Sequence, residues 1–299
     1  MDTEILTLQD GQQRLRLVPQ LGGGISSWDW QTPQGGLALM RPWDGKSSDP
    51  ASLACFPLVP WSNRITQGGF AHQGVHYALQ NNYAGEPYPI HGDGWLQPWS
   101  VESHSAHAAV FRLQSRKHGG NPHEYDAQLR YELLEDGLRL MLKVTHRGRA
   151  PLPYGLGLHP CFSCDEATRL QFHARGVWLS GPDAVPIAHT EEFPPGWDFG
   201  EPAPPDGAGA IDNCYTGWDG VMRASHPREH LMMVMTMEKN SGTCVLMHPQ
   251  NGRYFCFEPV SHPIDAFHVK GRPGLVSLAQ GESAQIEVTL RVEKMLPAA

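Results

Sequence analysis

Four short segments of this 299-residue chain combine residue types that suit recognition of a polyol. They are Trp61-Ser62-Asn63-Arg64-Ile65, Ile90-His91-Gly92-Asp93-Gly94-Trp95, Leu158-His159-Pro160 and Phe257-Glu258-Pro259. Guanidinium and imidazole groups hydrogen-bond to hydroxyls, and an indole face can cover the apolar C–H side of a sugar. Together the segments supply a cation, two histidines and a carboxylate, which suffice for acid–base chemistry on a polyol.

In order and spacing, these segments resemble those of the aldose 1-epimerases, also called galactose mutarotases. The resemblance extends from about Val59 to Glu282. Its further parts are the strand-like Val75-His76-Tyr77-Ala78-Leu79-Gln80, then Asn81-Asn82, the loop Ile211-Asp212-Asn213-Cys214-Tyr215, and Pro263-Ile264-Asp265-Ala266-Phe267. Several such segments in register are much more specific than any one of them.

The resemblance implies an enzyme that interconverts the α and β anomers of a free aldose. A base removes the proton of the anomeric hydroxyl, an acid protonates the ring oxygen, and the opened sugar rotates and recloses. By resemblance, Glu258 is the base and His159 the acid. Arg64, His91 and Asp212 are the implied contacts to the substrate.

Each of these residues also has a simpler interpretation. A glutamate before a proline is usually a solvated strand end, and Arg64 could form a buried ion pair that holds a loop. Trp61 and Trp95 could stack on a sugar or only fill the core. Asn63 is expected to shape its loop rather than to contact a substrate.

Two features concern the substrate. Asn213 follows the aspartate of the 211–215 loop, where members of the family often carry a histidine. His262, Lys270 and Arg272 lie near Glu258 in sequence, and would favour an anionic sugar such as a uronate, sulfonate or phosphate if they faced the cleft.

Two other classes of function share part of this pattern. A glycoside hydrolase needs two carboxylates beside the bond that it cleaves, and Asp212 with Glu258 could be such a pair. A non-catalytic carbohydrate-binding protein needs aromatic residues but neither His159 nor Glu258.

No cofactor or metal is expected. Gly22-Gly23-Gly24 lacks the lysine that completes a phosphate-binding loop. The six cysteines are scattered and indicate no disulfide framework. Cys161 and Cys164 have the spacing of half a zinc site, but no second pair at that spacing follows, so these two are interpreted as packing residues.

The elements that position these residues are predicted to be strands, since apolar side chains mostly alternate with polar ones. Leu129, Tyr131 and Leu133 precede a turn at Glu135-Asp136-Gly137, and alternate residues from Leu138 to Val144 follow it, which indicates a hairpin. No long segment has a helical period. The prediction is an all-β fold, and the resemblance implies a large antiparallel β-sandwich of the galactose mutarotase-like type.

One domain spanning residues 1–299 is expected, with the Pro- and Gly-rich segment 181–209 as a long loop leading to Asp212 rather than a linker. The net charge of −8 argues against a nucleic-acid partner. Acidic residues near Met1 do not fit a signal peptide, and no apolar run is long enough for a membrane helix. A cytoplasmic monomer or homodimer is expected, with a small sugar as its partner.

Overall fold

A computed structural model describes residues 4–32, 35–207, 209–239, 242–250 and 252–295. The strands of these ranges are β1 (Leu6–Asp10), β2 (Gln13–Val18), β3 (Gly24–Thr32), β4 (Gly35–Ala38), β5 (Pro57–Leu58), β6 (Gly69–His72), β7 (Val75–Ala78), β8 (Ser100–His104), β9 (Ala108–Arg116), β10 (Glu124–Leu134), β11 (Gly137–His146), β12 (Leu152–Tyr154), β13 (Gly157–Leu158), β14 (Cys161–Ser163), β15 (Arg169–Phe172), β16 (Gly176–Ser180), β17 (Pro186–Thr190), β18 (Ile211–Thr216), β19 (Val221–His226), β20 (Leu231–Thr236), β21 (Thr243–His248), β22 (Tyr254–Pro259), β23 (Val276–Leu278) and β24 (Ser283–Lys294). Three single-turn 3₁₀ helices lie at Pro50–Ser52, Gly94–Leu96 and His118–Gly120. The all-β prediction is confirmed.

The largest sheet has eight strands in the order β15-β19-β20-β24-β11-β10-β9-β8, and all its neighbours are antiparallel. The predicted hairpin is present as β10 and β11, in which Leu134 pairs with Gly137 across the two-residue turn Glu135-Asp136. Burial alternates along both strands. The hydrophobic pattern of the sequence therefore sets which face of this sheet is covered.

A six-stranded sheet in the order β14-β22-β21-β18-β16-β17 lies against the eight-stranded one. The ring of Phe172 in β15 is 5.0 Å from the rings of both Tyr215 in β18 and Phe257 in β22, measured between centroids. Apolar residues of the four-stranded sheet β1-β2-β3-β4, such as Leu15 and Trp28, join the same buried core. Packing of these sheets face to face gives the predicted β-sandwich.

The segment 181–209 connects β16 to β18, which are neighbours in the six-stranded sheet. It first forms β17, which pairs with β16. The backbone N–H of Phe172 in β15 then donates to the carbonyl of Phe199, and Ala203 forms a bridge with Leu170 of the same strand. The described parts of this segment are therefore hydrogen-bonded to both large sheets, and β18 with Asp212 follows it. Among the described residues, no helix is long and apolar enough to span a membrane.

Candidate active site

The five residues assigned to the site from the sequence surround one cavity of about 270 Å³. His159, Glu258, Arg64, His91 and Asp212 all line it. The other residues of its wall are Arg41, Ala51, Phe56, Asn63, Tyr83, Glu86, Ile90, Trp95, Cys161, Met247 and Tyr254. Segments far apart in the chain therefore meet at one place.

The six-stranded sheet forms one side of the cavity. Asp212 in β18 is paired with Met247 in β21, and Glu258 in β22 is paired with Val245 in β21. Residues two apart on a strand share a face, so Asp212, Met247 and Glu258 point in the same direction. Asp212 was expected on a loop. It lies instead on a strand, immediately after the loop ends, and its backbone is fixed by the ladder to β21.

His159 and Glu258 are in direct contact. His159 Nε2 lies 3.1 Å from Glu258 Oε1, and only 3% of the Glu258 side chain is exposed. The second carboxylate oxygen, Oε2, is buried and has no hydrogen-bond partner. Glu258 is thus near the end of a strand, as expected, but it is buried rather than solvated.

Burial pushes both members of this pair towards their uncharged forms. Loss of solvent raises the pKa of Glu258 well above its ordinary value; the nearby Asp212 raises it further, and Arg64 lowers it. Burial, with a smaller contribution from the nearby Arg41, lowers the pKa of His159 to about 3. Burial therefore favours the neutral form of the pair, in which the 3.1 Å contact holds one proton.

A tight turn places His91 in the cavity wall. Asn63 and His91 both have left-handed backbone conformations, with φ of 57° and 59°. The backbone N–H of Asn63 donates to His91 Nδ1 at 3.0 Å, and the N–H of His91 donates to the Asn63 carbonyl at the same distance. Burial, His159 and Arg64 lower the pKa of His91 well below its usual value. A neutral ring that accepts at Nδ1 carries its proton on Nε2, so His91 is a hydrogen-bond donor.

Arg64 fits both interpretations made from the sequence. Its Nε and Nη2 donate to the two carboxylate oxygens of Glu86 at 2.7 and 3.0 Å. Its Nη1 donates to the side-chain oxygen of Asn63 at 3.1 Å. The ion pair fixes the guanidinium in the cavity wall, and the loop-shaping role expected for Asn63 is present as well.

Asp212 is buried enough for its pKa to be raised, while Arg64 lowers that pKa and Glu86 raises it. Arg64 is thus the cation that acts on both carboxyl groups, Asp212 and Glu258. The guanidinium of Arg64 therefore favours the charged form of two carboxyl groups in the same cavity.

Sequence reasoning missed Arg41, Glu86 and Tyr254. Arg41 Nη2 donates to the carbonyls of Ala51 and Leu53, both at 2.7 Å, and its guanidinium lies 4.4 Å from the centre of the Tyr254 ring. No motif surrounds Arg41 or Glu86, and only the folded arrangement brings them to the cavity.

Trp61 and Trp95, which could each stack on a sugar or fill the core, lie in different places. Trp95 lines the cavity and stacks on Phe56 at 5.2 Å between ring centroids. Trp61 is buried beside His123 and Phe267, and it does not line this cavity.

The basic residues considered for an anionic sugar also lie elsewhere. His262 is buried, and its Nε2 accepts from the backbone of Ser62. Arg272 contacts His72. Neither these two nor Lys270 is part of the cavity wall.

The interpretation of the cysteines is wrong in one respect, because Cys161 and Cys256 form a disulfide. The antiparallel pairing of β14 with β22 places the two residues opposite each other although they are 95 positions apart. The spacing of cysteines along the chain cannot predict a disulfide that depends on the pairing of two distant strands. Cys164, the apparent partner in the sequence, is a free thiol.

The fold and the cavity together define a β-sandwich protein with a buried histidine–glutamate pair in the wall of a small polar cavity. The family model for aldose 1-epimerases matches residues 4–291, and the chain belongs to that family. The uncharacterized protein YphB of Escherichia coli K12 is 34% identical over 97% of this chain and 99% of its own length.

Solved structures agree with this family. A candidate aldose 1-epimerase of Escherichia coli K12 superposes with a TM-score of 0.90 at 32% identity, over 98% of this chain and all of the other. The GalM/aldose epimerase homologue of C. elegans has a TM-score of 0.84 at 16% identity, over 98% of this chain and 100% of its own. At that identity the likeness concerns the fold alone.

Proposed function

We propose that this protein is an aldose 1-epimerase, in which Glu258 is the base and His159 the acid. The observation that carries the proposal is the 3.1 Å contact between His159 Nε2 and Glu258 Oε1 in the wall of a small polar cavity. An imidazole and a carboxyl group that share one proton can supply both proton transfers of ring opening.

The reaction begins with the pair as carboxylate and imidazolium, which is one proton transfer away from the neutral pair. Glu258 takes the proton of the C1 hydroxyl while His159 Nε2 gives its proton to the ring oxygen, and the bond between C1 and that oxygen breaks. Rotation about the C1–C2 bond exposes the other face of the aldehyde. Reclosure returns both protons, so the enzyme ends unchanged.

Three residues hold the sugar in this proposal. His91 donates from Nε2, Asp212 accepts from hydroxyls, and Arg64 offers the donor atoms that Glu86 and Asn63 leave free. Arg64 also favours the carboxylate form of Glu258, which the base requires. We assign Trp95 to the wall behind the sugar, since it is already stacked on Phe56.

The size and charge of the cavity favour a neutral monosaccharide. A volume of about 270 Å³ is slightly below the roughly 300–1,000 Å³ that ligand sites usually have. Its wall contains Arg41 and Arg64 against the carboxyl groups of Glu86, Asp212 and Glu258. Two cations facing three acids do not form an anion site.

Saturation-transfer NMR on a panel of neutral and acidic aldoses measures anomer exchange directly. The protein should accelerate exchange of at least one neutral aldose without added metal. Exchange at only the spontaneous rate for the whole panel would contradict the proposal, and release of new reducing ends from oligosaccharides would indicate a glycoside hydrolase.

The first prediction tests the two roles by substitution. Glu258→Gln and His159→Asn should each slow exchange by about 10²–10⁴-fold, because each removes one proton-transfer group. Gln31→Asn, a distant amide change outside this cavity, is the control and should keep the wild-type rate. Full activity in a folded Glu258→Gln protein would return Glu258 to a structural role.

A further inference from the structure

The disulfide between Cys161 and Cys256 lies beside the proposed acid–base pair. Cys161 is two residues after His159, and Cys256 is two residues before Glu258. Both cysteines are buried, but Cys161 also lines the cavity. Cys161 therefore borders the same cavity as the proposed reacting groups.

The Cys161 sulfur contacts the imidazole of His159. His159 Nδ1 is 3.6 Å from Cys161 Sγ, and the ring is stacked on Phe56 at 4.4 Å between centroids. A disulfide sulfur has no proton and can only accept, so a hydrogen bond at this contact needs the proton on Nδ1. A thiol at the same place can donate to Nδ1, which would put the proton of a neutral ring on Nε2 instead.

We propose that Cys161–Cys256 is a reversible thiol–disulfide site whose state determines which nitrogen of His159 carries the proton. The co-reactant is a small thiol or dithiol. Its thiolate attacks Cys161 Sγ, the sulfur–sulfur bond breaks, and Cys256 leaves as a thiolate that takes up a proton. A second thiolate attacks the co-reactant's sulfur in the mixed disulfide, so that Cys161 leaves as a thiolate, which takes up a proton, and the co-reactant becomes the disulfide.

The oxidised state is the active one. When His159 gives its Nε2 proton to the sugar, the neutral ring that remains carries its proton on Nδ1, where the disulfide sulfur accepts it. Reduction stabilises the opposite tautomer and makes the imidazolium harder to form. The effect on turnover rests on the proposed function, whereas the thiol state and the tautomer of His159 do not.

The experiment compares four samples of the full-length protein: wild type treated with diamide, wild type treated with a phosphine reductant, Cys256→Ser, and Cys164→Ser as the matched control. Cys164 is a partly exposed free thiol and takes no part in the disulfide. Alkylation of the denatured protein followed by mass spectrometry counts thiols. Nitrogen-15 NMR of labelled histidine, assigned with His159→Asn, reports the tautomer.

Oxidised wild type should show four alkylated cysteines and reduced wild type six, with the pair mapped to Cys161 and Cys256. Reduction and Cys256→Ser should both move the proton of His159 to Nε2 and slow anomer exchange by about tenfold, a fraction of the 10²–10⁴ that acid–base catalysis contributes. Oxidised Cys164→Ser should behave like oxidised wild type.

Six reactive thiols after diamide treatment would overturn the proposal, as would identical His159 spectra in the two states. A change of tautomer in a protein that never exchanges anomers would support this site and contradict the proposed function. The experiment can therefore disprove the thiol–disulfide site and the proposed function independently of each other.

Discussion

At the scale of single residues, the proposed base and acid lie where burial opposes their charges. Burial raises the pKa of Glu258 and lowers that of His159 to about 3. The form needed for reaction, carboxylate with imidazolium, contains the same number of protons as the neutral pair. Shifts of pKa caused by burial together with a charged neighbour are common at acid–base sites.

The second prediction concerns the pH dependence of exchange. Below a pH of about 3 the pair gains a second proton and the base is blocked, and above the raised pKa of Glu258 it loses its last proton and the acid is absent. The acid limb should therefore lie below the ~4.3 of a solvated glutamate, and the alkaline limb should follow the raised pKa of Glu258. Second-order rates from about pH 3.5 to 9.5, corrected for spontaneous exchange, check this. Limbs near ~4.3 and ~6.5 would show an ordinary, solvated pair.

The third prediction is that Glu258→Gln stabilises the protein. The folded state holds the Glu258 proton more tightly than the unfolded state, whose pKa is about 4.3. The stability contributed by this proton is fully present below that pH and is lost as pH rises through the folded pKa. Glutamine has no charge to bury, so its advantage should grow with pH, by about 1.4 kcal/mol for each unit of pKa shift.

Thermal unfolding at about pH 5 and pH 8 measures this difference, with a melting temperature that changes by roughly 1.5–2 °C per kcal/mol for a chain of 299 residues. Glu86→Gln is a suitable control. Glu86 forms an ion pair with Arg64, so removal of its charge should lower the melting temperature of the variant. An equal effect of Glu258→Gln at both values of pH would contradict a raised pKa. An active site that costs stability is a common compromise.

At the scale of elements, the turn before β8 shows how backbone geometry controls a side chain. Gly92 follows His91 and has a φ of +67°. A Cβ atom there would lie 2.3 Å from the Val59 carbonyl oxygen and 2.5 Å from Pro60 Cδ. The turn can hold His91 in the cavity wall only because position 92 has no side chain.

The fourth prediction follows from that contact. Gly92→Ala should lower the free energy of unfolding by about 1–3 kcal/mol and should also slow exchange, since it displaces His91. Gly74 is the matched control: it has a φ of +79° but nothing within 4 Å of the added Cβ. Gly74→Ala should cost about 1 kcal/mol for the backbone and leave exchange unchanged. Equal effects of both changes on exchange would show that the turn does not position His91.

The elements that sequence patterns predicted are those formed by nearby residues. Alternation located β10 and β11, and the turn chemistry located their hairpin, because both depend on residues that are adjacent in the chain. The pairing of β24 with β11 and β20, and of β14 with β22, joins distant segments. No local pattern encodes such partners, and the Cys161–Cys256 disulfide was missed for this reason.

At the scale of the whole molecule, the cavity collects residues from Arg41 to Glu258. The family resemblance identified five of them because they lie in characteristic short segments. Arg41 and Glu86 have no such context, since each is recruited through contacts that exist only in the fold: with the carbonyls of Ala51 and Leu53, and with Arg64. Sequence motifs therefore placed five residues in one cavity but did not identify the neighbours that fix their positions.

The last prediction uses this wide distribution of residues. A ligand that contacts several sheets and loops at once should stabilise the whole fold, by about 2.7 kcal/mol when its concentration is 100 times its dissociation constant. Glu258→Gln should keep this stabilisation by the aldose that exchanges fastest, because the amide preserves shape and hydrogen bonding. Asp212→Ala should lose most of it, since Asp212 is proposed to accept hydroxyl hydrogen bonds. Melting temperatures measured across a ligand titration separate the two roles, and a stabilisation lost equally in both variants would place Glu258 in binding rather than in proton transfer.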